Sequence, residues 1–248
     1  DVEERQGSAE ASFEKMRATW RAMLDSAESY DGGLRSVSGL SGGDGELMLR
    51  YAAGGAALGG GYISEVIATA LCVGESNACM RKIVAAPTAG ACGVLPAVLV
   101  PLYRRGEREE DILRALYTAA GIGAVINSRA SISGAAGGCQ AEIGSASAMA
   151  AGALAQLRGG GPEQTANALA MALKNLMGLI CDPVAGLVEV PCVKRNVIGA
   201  VNAVSCADMA LAGITSRIPA DEVIDCMGIV GERLPREFRE TARGGLAA

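Results

Sequence analysis

Small side chains dominate this sequence, and they restrict the folds open to it more than any other feature. Half of the 248 residues are apolar, yet only 3% are aromatic and 34 are glycines. Where side chains are small, helix backbones approach one another closely, so the composition favours helices in direct contact. No charge-rich or low-complexity linker divides the chain, and we expect residues 1–248 to form a single domain.

Apolar residues recur at helical spacing along most of the chain. Helices are predicted over the first thirty residues, over two stretches of 46–79 broken near 59–61, and over 112–120, 140–157, 169–180, 197–212 and 219–233. Only residues 184–193 have strand character, and no βαβ alternation is present. The predicted fold class is therefore all-α, a compact multi-helix bundle rich in Gly and Ala with loops suited to binding a cluster.

Charge and cysteine usage exclude several classes of protein. The formal net charge is −5 and no basic patch is present, so nucleic acid is not an expected partner. Eight cysteines are too dilute for a disulfide scaffold, and without a secretory leader we expect a cytoplasmic protein. Residues 83–103 carry no charge over the length of a membrane span, but three prolines interrupt them, so no membrane association is expected.

Three cysteines stand apart from the others because each lies at a Gly-rich or Pro-rich break. Cys139 follows two glycines, Cys181 precedes Asp-Pro, and Cys192 follows a proline, in a chain that contains no histidine. Thiolates without imidazole favour an iron-sulfur cubane, which can leave one iron without a protein ligand. Spacing alone also allows these three cysteines to be small apolar residues of the core. A role as small buried hydrophobes is the preferred interpretation of four others: Cys72, Cys79, Cys206 and Cys226.

Several segments resemble the alpha chain, or catalytic domain, of iron-sulfur L-serine dehydratases. They are KIVAAPTAG (82–90), ASISG (130–134), GCQAEIGSA (138–146), CDPVAGLVEVPCVKRN (181–196) and ETARGGL (240–246), together with SGLSGGD (38–44). The resemblance covers nearly the whole chain, and the CDPVAGLV string is its most specific part. It implies an enzyme that converts L-serine to pyruvate and ammonia with a [4Fe-4S] cluster and without pyridoxal phosphate.

The resemblance also implies roles for individual residues. The family's cluster ligands fall on Cys139, Cys181 and Cys192. Removal of the serine α-proton needs a general base, and in the absence of histidine we expect a separate beta subunit to complete the site of an oligomeric enzyme. Five residues of this chain are candidates for catalysis (Lys82, Lys194, Ser133) or substrate binding (Thr88, Ser131, Ser133). The alternatives are that the two lysines are surface charges and that the two serines bond within their own loop.

Two rival functions remain open at this point. A pyridoxal-phosphate dehydratase would carry out the same reaction through a Schiff base, and it predicts an α/β pattern with a lysine after a strand. A helical membrane or assembly protein would explain the Gly and Ala content without any catalysis.

Overall fold

The structure, a computed structural model, describes residues 7–248, so the first six residues of the predicted N-terminal helix lie outside it. Its α-helices are α1 (Ala9–Glu28), α2 (Asp44–Ala53), α3 (Gly60–Ala78), α4 (Val94–Arg104), α5 (Glu109–Arg129), α6 (Gly134–Gly137), α7 (Ser145–Leu157), α8 (Pro162–Asn175), α9 (Cys192–Leu211) and α10 (Ala220–Arg233). No strand occurs within residues 7–248. The all-α prediction is confirmed, and the α/β pattern of a pyridoxal-phosphate dehydratase is not found in this part of the chain.

Helix α7 lies at the centre of the bundle. Residues 145–155 are all buried, and the helix packs against α4, α5, α8 and α9. Its small side chains permit this close packing, since a β-carbon on Gly152 would collide with Ile122 of α5. The central position matters for function because the turn that leads into α7 begins at Cys139.

Helix α1 is the amphipathic surface helix that the sequence predicts. The Ser8 hydroxyl accepts a 3.1 Å hydrogen bond from the backbone N–H of Ala11 and caps the helix. Trp20 is completely buried, and its ring packs edge-on against Tyr103 of α4 with 5.5 Å between centroids. This aromatic contact fixes α1 on the outside of the bundle.

Three predicted boundaries around the candidate ligands are wrong. Helix α8 ends at Asn175 rather than at residue 180, because Gly178 takes a positive φ of 84° that breaks the helix. Helix α9 begins at Cys192 instead of residue 197. The segment 184–193 is not a strand: Ala185 and Gly186 have φ values of 53° and 73°, which a strand does not accommodate, and a 3-10 turn forms there.

The uncharged segment 83–103 contains a 3-10 turn and most of the eleven-residue helix α4, with Pro101 inside it. Among residues 7–248, no helix is both long enough and apolar enough to cross a membrane.

Candidate active site

The three candidate ligands come from three different local structures. Cys139 precedes a single π-helical turn, Gln140–Gly144, that continues into α7. Cys181 lies in the extended segment between α8 and α9, and Cys192 is the first residue of α9. Cys139 and Cys181 are buried, and Cys192 is partly buried. Two of the three sulfurs are thus placed at helix N-termini, where the helix dipole favours negative charge.

Backbone and side-chain hydrogen bonds bring these segments together. The N–H of Gln140, next to Cys139, donates a 2.9 Å bond to the carbonyl of Leu179. The Arg195 guanidinium, one turn after Cys192, donates a 2.9 Å bond to the carbonyl of Ile180. Both acceptors lie immediately before Cys181, so the three cysteines share one neighbourhood.

The thiols of these three cysteines influence one another's pKa. Burial raises the pKa of Cys139 to about 12 and that of Cys192 to about 11, and raises the pKa of Cys181 further still. Charge on Cys139 and Cys192 adds to the upward shift in the pKa of Cys181. The Arg195 guanidinium opposes the shifts in the pKa of Cys139 and Cys192. At neutral pH the metal-free thiols are therefore protonated, and any bound metal must displace those protons.

Glu142 is a site residue that the sequence analysis missed. The Cys181 thiol donates a 3.7 Å hydrogen bond to its Oε2 atom. Burial raises the pKa of Glu142, and the neighbouring Thr88 hydroxyl opposes that shift. Thr88 Oγ1 is itself buried without a well-aligned partner. A positional signal was present, because Glu142 lies only three residues after Cys139, within the helical turn that Cys139 precedes.

A short polar loop is held against the segment that leads to Cys192. Glu189 is buried, and its Oε2 accepts hydrogen bonds of 2.6 Å from Ser36 and 2.7 Å from Ser38. Nearby, Lys194 pairs with Asp44 at 2.9 Å. The SGLSGGD loop at residues 38–44 is thereby placed beside the Cys192 turn, although the two lie about 150 residues apart in the chain.

The C-terminal segment, residues 234–248, supplies the backbone partners of Cys181. The Cys181 N–H donates a 2.8 Å bond to the Phe238 carbonyl, and the Glu240 N–H donates a 2.8 Å bond to the Cys181 carbonyl. The backbone N–H of Leu246 also donates to Asp182 Oδ2 at 2.8 Å. The C-terminal segment therefore fixes the backbone on both sides of the Cys181 sulfur.

The predicted substrate residues differ in their position relative to the candidate ligands. Thr88 lies at the site, beside Glu142. Ser131 and Ser133 belong to the loop before Gly134. The Ser131 hydroxyl accepts a 3.1 Å hydrogen bond from the Ser133 N–H, which is bonding within their own loop, the alternative to a role in substrate binding. Ser131 also lines a cavity of about 400 Å³ behind the Cys139 turn, to which none of the three candidate cysteines contributes.

The two predicted catalytic lysines lie outside this group of residues. Lys82 is exposed and lines a surface groove against α1, together with Arg17, Arg21 and Asp25. The Lys194 side chain is 73% exposed and pairs with Asp44. Arg195, its neighbour in sequence, instead points into the site with only 16% of its side chain exposed.

The remaining cysteines divide by burial. Cys72 and Cys206 are buried, as predicted, and so is Cys92. Cys79 is only partly buried and Cys226 is exposed, so the core role predicted for Cys226 is wrong. Its helix α10 buries the face that carries Val223, Ile224 and Met227, and Cys226 lies outside that face.

Within residues 7–248, no three Cys, Asp or Glu side chains converge on a point suited to a single metal ion.

Comparison with known proteins agrees with the resemblance seen in the sequence. Residues 1–247 match the family model described as serine dehydratase alpha chain. A probable L-serine dehydratase alpha chain of Bacillus subtilis (strain 168) is 49% identical, with 100% of this chain and 83% of the relative covered. A probable L-serine dehydratase alpha chain of Latilactobacillus sakei is 55% identical, with 74% of this chain and 88% of the relative covered.

One longer relative matches this chain over only part of its own length. The L-serine dehydratase TdcG of Escherichia coli (strain K12) is 48% identical over 72% of this chain, but the match covers only 40% of that relative. The chain is thus similar in extent to alpha chains and corresponds to one part of the longer protein.

Proposed function

The chain belongs to the serine dehydratase alpha chain family, and from that premise we propose that it is an L-serine ammonia-lyase, which converts L-serine to pyruvate and ammonia. The observation that carries the proposal is that hydrogen bonds bring the segments of Cys139, Cys181 and Cys192 together, with the Cys181 thiol bonded to Glu142. The segments that bear the resemblance to the family are far apart in sequence, yet Thr88, Gly134, Glu142 and Cys181, each from a different segment, meet at this place. We propose also that residues 1–248 act as one catalytic domain.

The donor set fits a [4Fe-4S] cluster. Cys139, Cys181 and Cys192 are free thiols in a chain without histidine, and such a cluster is held by thiolates alone. The Arg195 guanidinium offsets negative charge at Cys139 and Cys192, which supports an anionic group. We therefore propose that Cys139, Cys181 and Cys192 hold a [4Fe-4S] cluster.

When bound, such a cluster supplies an iron without a protein ligand, a Lewis acid that makes the serine hydroxyl a better leaving group. The chain's own residues prepare the surroundings. Burial of Cys139 and Cys181 excludes bulk water and strengthens electrostatic interactions. The buried Thr88 hydroxyl interacts with Glu142 without an aligned hydrogen bond, and we propose that it contacts the substrate there. Ser131 and Ser133 remain proposed substrate contacts through the loop that precedes Gly134.

The proton removed from the serine α-carbon needs an acceptor that this chain does not offer as an imidazole, because none of its 248 residues is histidine. We propose that a beta subunit supplies the base. The alpha chain designation of the family and the greater length of the Escherichia coli relative support a second polypeptide in the complete enzyme, which we expect to be an oligomer.

The test is formation of pyruvate from L-serine by the complete enzyme, purified without oxygen. We expect turnover without added pyridoxal phosphate and its loss when a chelator removes iron, with recovery after iron and sulfide are restored. Turnover that requires pyridoxal phosphate, or that persists undiminished in iron-free enzyme, would contradict the proposal.

A further inference from the structure

One guanidinium connects helix α9, which begins at Cys192, with the segment that carries Cys181. Arg195 lies three residues after Cys192 in the first turn of α9. Its Nη1 donates a 2.9 Å hydrogen bond to the carbonyl of Ile180 and lies 2.9 Å from Oδ1 of Asp182. These two residues stand immediately before and after Cys181. A single side chain therefore contacts both residues that flank that cysteine, one through its backbone carbonyl and the other through its carboxylate.

Asp182 completes the connection. Only 2% of its side chain is exposed, and the contact of Oδ1 with Arg195 is an ion pair rather than an aligned hydrogen bond. Its Oδ2 accepts the 2.8 Å bond from the Leu246 N–H. The Asp182 carboxylate thus forms an ion pair with α9 and accepts a hydrogen bond from the C-terminal segment.

From this geometry we propose that Arg195 and Asp182 are positioning residues, which hold the sulfur of Cys181 at a fixed separation from that of Cys192 before any cluster is bound. The reason for such a fixed separation rests on the proposed function, since a rigid cube accepts three thiolates only at set positions. The contacts of Arg195 with Ile180 and Asp182 form a clamp, which is a property of the metal-free chain and can be measured there.

Two physical features favour a positioning role over a general contribution to stability. Both contacts run through Nη1, and the planar guanidinium holds that nitrogen in a fixed direction, whereas an ammonium is a compact charge on a flexible stem. A buried pair contributes little net stability compared with apolar residues, but loss of one partner leaves a buried charge unpaired. The pair therefore specifies a geometry more than it adds stability.

The experiment measures alkylation of individual cysteines by iodoacetamide in the full metal-free chain, read by peptide mass spectrometry. We expect Arg195→Gln and Asp182→Asn to raise the rate at Cys181 about tenfold or more, because local opening then exposes its thiol. Cys92 and Cys206, which are equally buried but remote from the pair, serve as internal references and should keep their rates. Arg158→Gln breaks an exposed ion pair with Glu107 and is the matched control, with no expected change.

Two further variants separate positioning from general loss of structure. Arg195→Lys keeps the charge and should give an intermediate rate at Cys181, and it replaces Arg195→Gln if that variant does not fold. The double variant should match either single variant, because both remove the same clamp. An unchanged rate at Cys181, or a rise shared equally by Cys92 and Cys206, would overturn the proposal.

Iron binding distinguishes this proposal from the proposed function. We expect the Arg195 and Asp182 variants to retain less iron and sulfide after anaerobic reconstitution than the unchanged chain. If the unchanged chain takes up no iron, the cluster assignment fails while the alkylation result still decides the clamp. If it takes up iron and the variants match it in both measurements, the clamp fails and the cluster assignment stands.

Discussion

The backbone of Gly134 faces the sulfur of Cys181 so closely that a β-carbon on Gly134 would lie 2.9 Å from that sulfur. The same β-carbon would lie 2.5 Å from Oε2 of Glu142. Glycine at this position leaves the space around the candidate ligand free, and no other residue type does so.

Gly134→Ala should therefore impair the site without unfolding the protein. The added methyl must displace Cys181 or Glu142, at a cost of about 1–3 kcal/mol for overpacking. We expect lower iron content and lower turnover, with helical content unchanged by circular dichroism. Gly121→Ala is the control: Gly121 lies in α5 with open space around it, and alanine there should be neutral or stabilising by up to about 1 kcal/mol. Equal iron content in both variants would contradict the assignment of Gly134 to the site.

Thr88 provides a test of substrate binding. Thr88→Val keeps the shape but removes a buried hydroxyl, and a lost hydrogen bond of about 1 kcal/mol corresponds to a rise of about fivefold to tenfold in KM for L-serine. Thr88→Ser retains the hydroxyl and should restore most of the affinity. Steady-state kinetics would show the difference, and identical KM values for the two variants would exclude Thr88 as a substrate contact.

The register of helix α9 explains why Arg195, rather than the predicted Lys194, faces the candidate ligands. Lys194 follows Cys192 by two residues, which places it about 200° around a helix, while Arg195 follows by three and returns to the side of the cysteine. The prediction began this helix at residue 197, so neither position could be assigned a face. Once α9 is known to begin at Cys192, Arg195 is the residue expected in the site.

Periodicity predicted the helices well because most of them bury one apolar face, and the Gly-rich and Pro-rich surroundings of Cys139, Cys181 and Cys192 made these cysteines the candidate ligands. The segment 184–193 was misassigned because its β-branched residues resemble a strand, whereas the positive φ of Ala185 is a product of tertiary structure. The sequence likewise does not predict that the C-terminal segment binds Cys181, since no local pattern indicates a contact between Cys181 and Phe238.

The metal-free chain should lose stability at alkaline pH. Burial raises the pKa of Cys92 in the folded state from 9.0 to about 12. Above pH 9 the unfolded chain releases this proton while the folded chain retains it, so the free energy of unfolding falls as pH rises. The expected loss is about 1 kcal/mol for such a thiol between pH 9 and 10. Urea denaturation at both pH values should show a smaller decrease for Cys92→Ala, and an equal decrease would contradict the shift.

A beta subunit that supplies the base makes a kinetic prediction. General base catalysis contributes about 10²–10⁴ in rate, so this chain alone should form pyruvate at least about 100-fold more slowly than the complete enzyme. Copurification from the native source should recover a second polypeptide with histidine. Full activity of the isolated, iron-loaded chain would refute the requirement for a partner.

Iron and labile sulfide content of the anaerobically purified chain tests the central claim most directly. We expect about four irons and about four sulfides per chain, as a [4Fe-4S] cluster requires. Cys181→Ser should lose iron, sulfide and turnover together, whereas Cys226→Ser, at an exposed cysteine, should retain all three. A fully active Cys181→Ser enzyme with its iron intact would contradict the claim that Cys139, Cys181 and Cys192 hold the cluster.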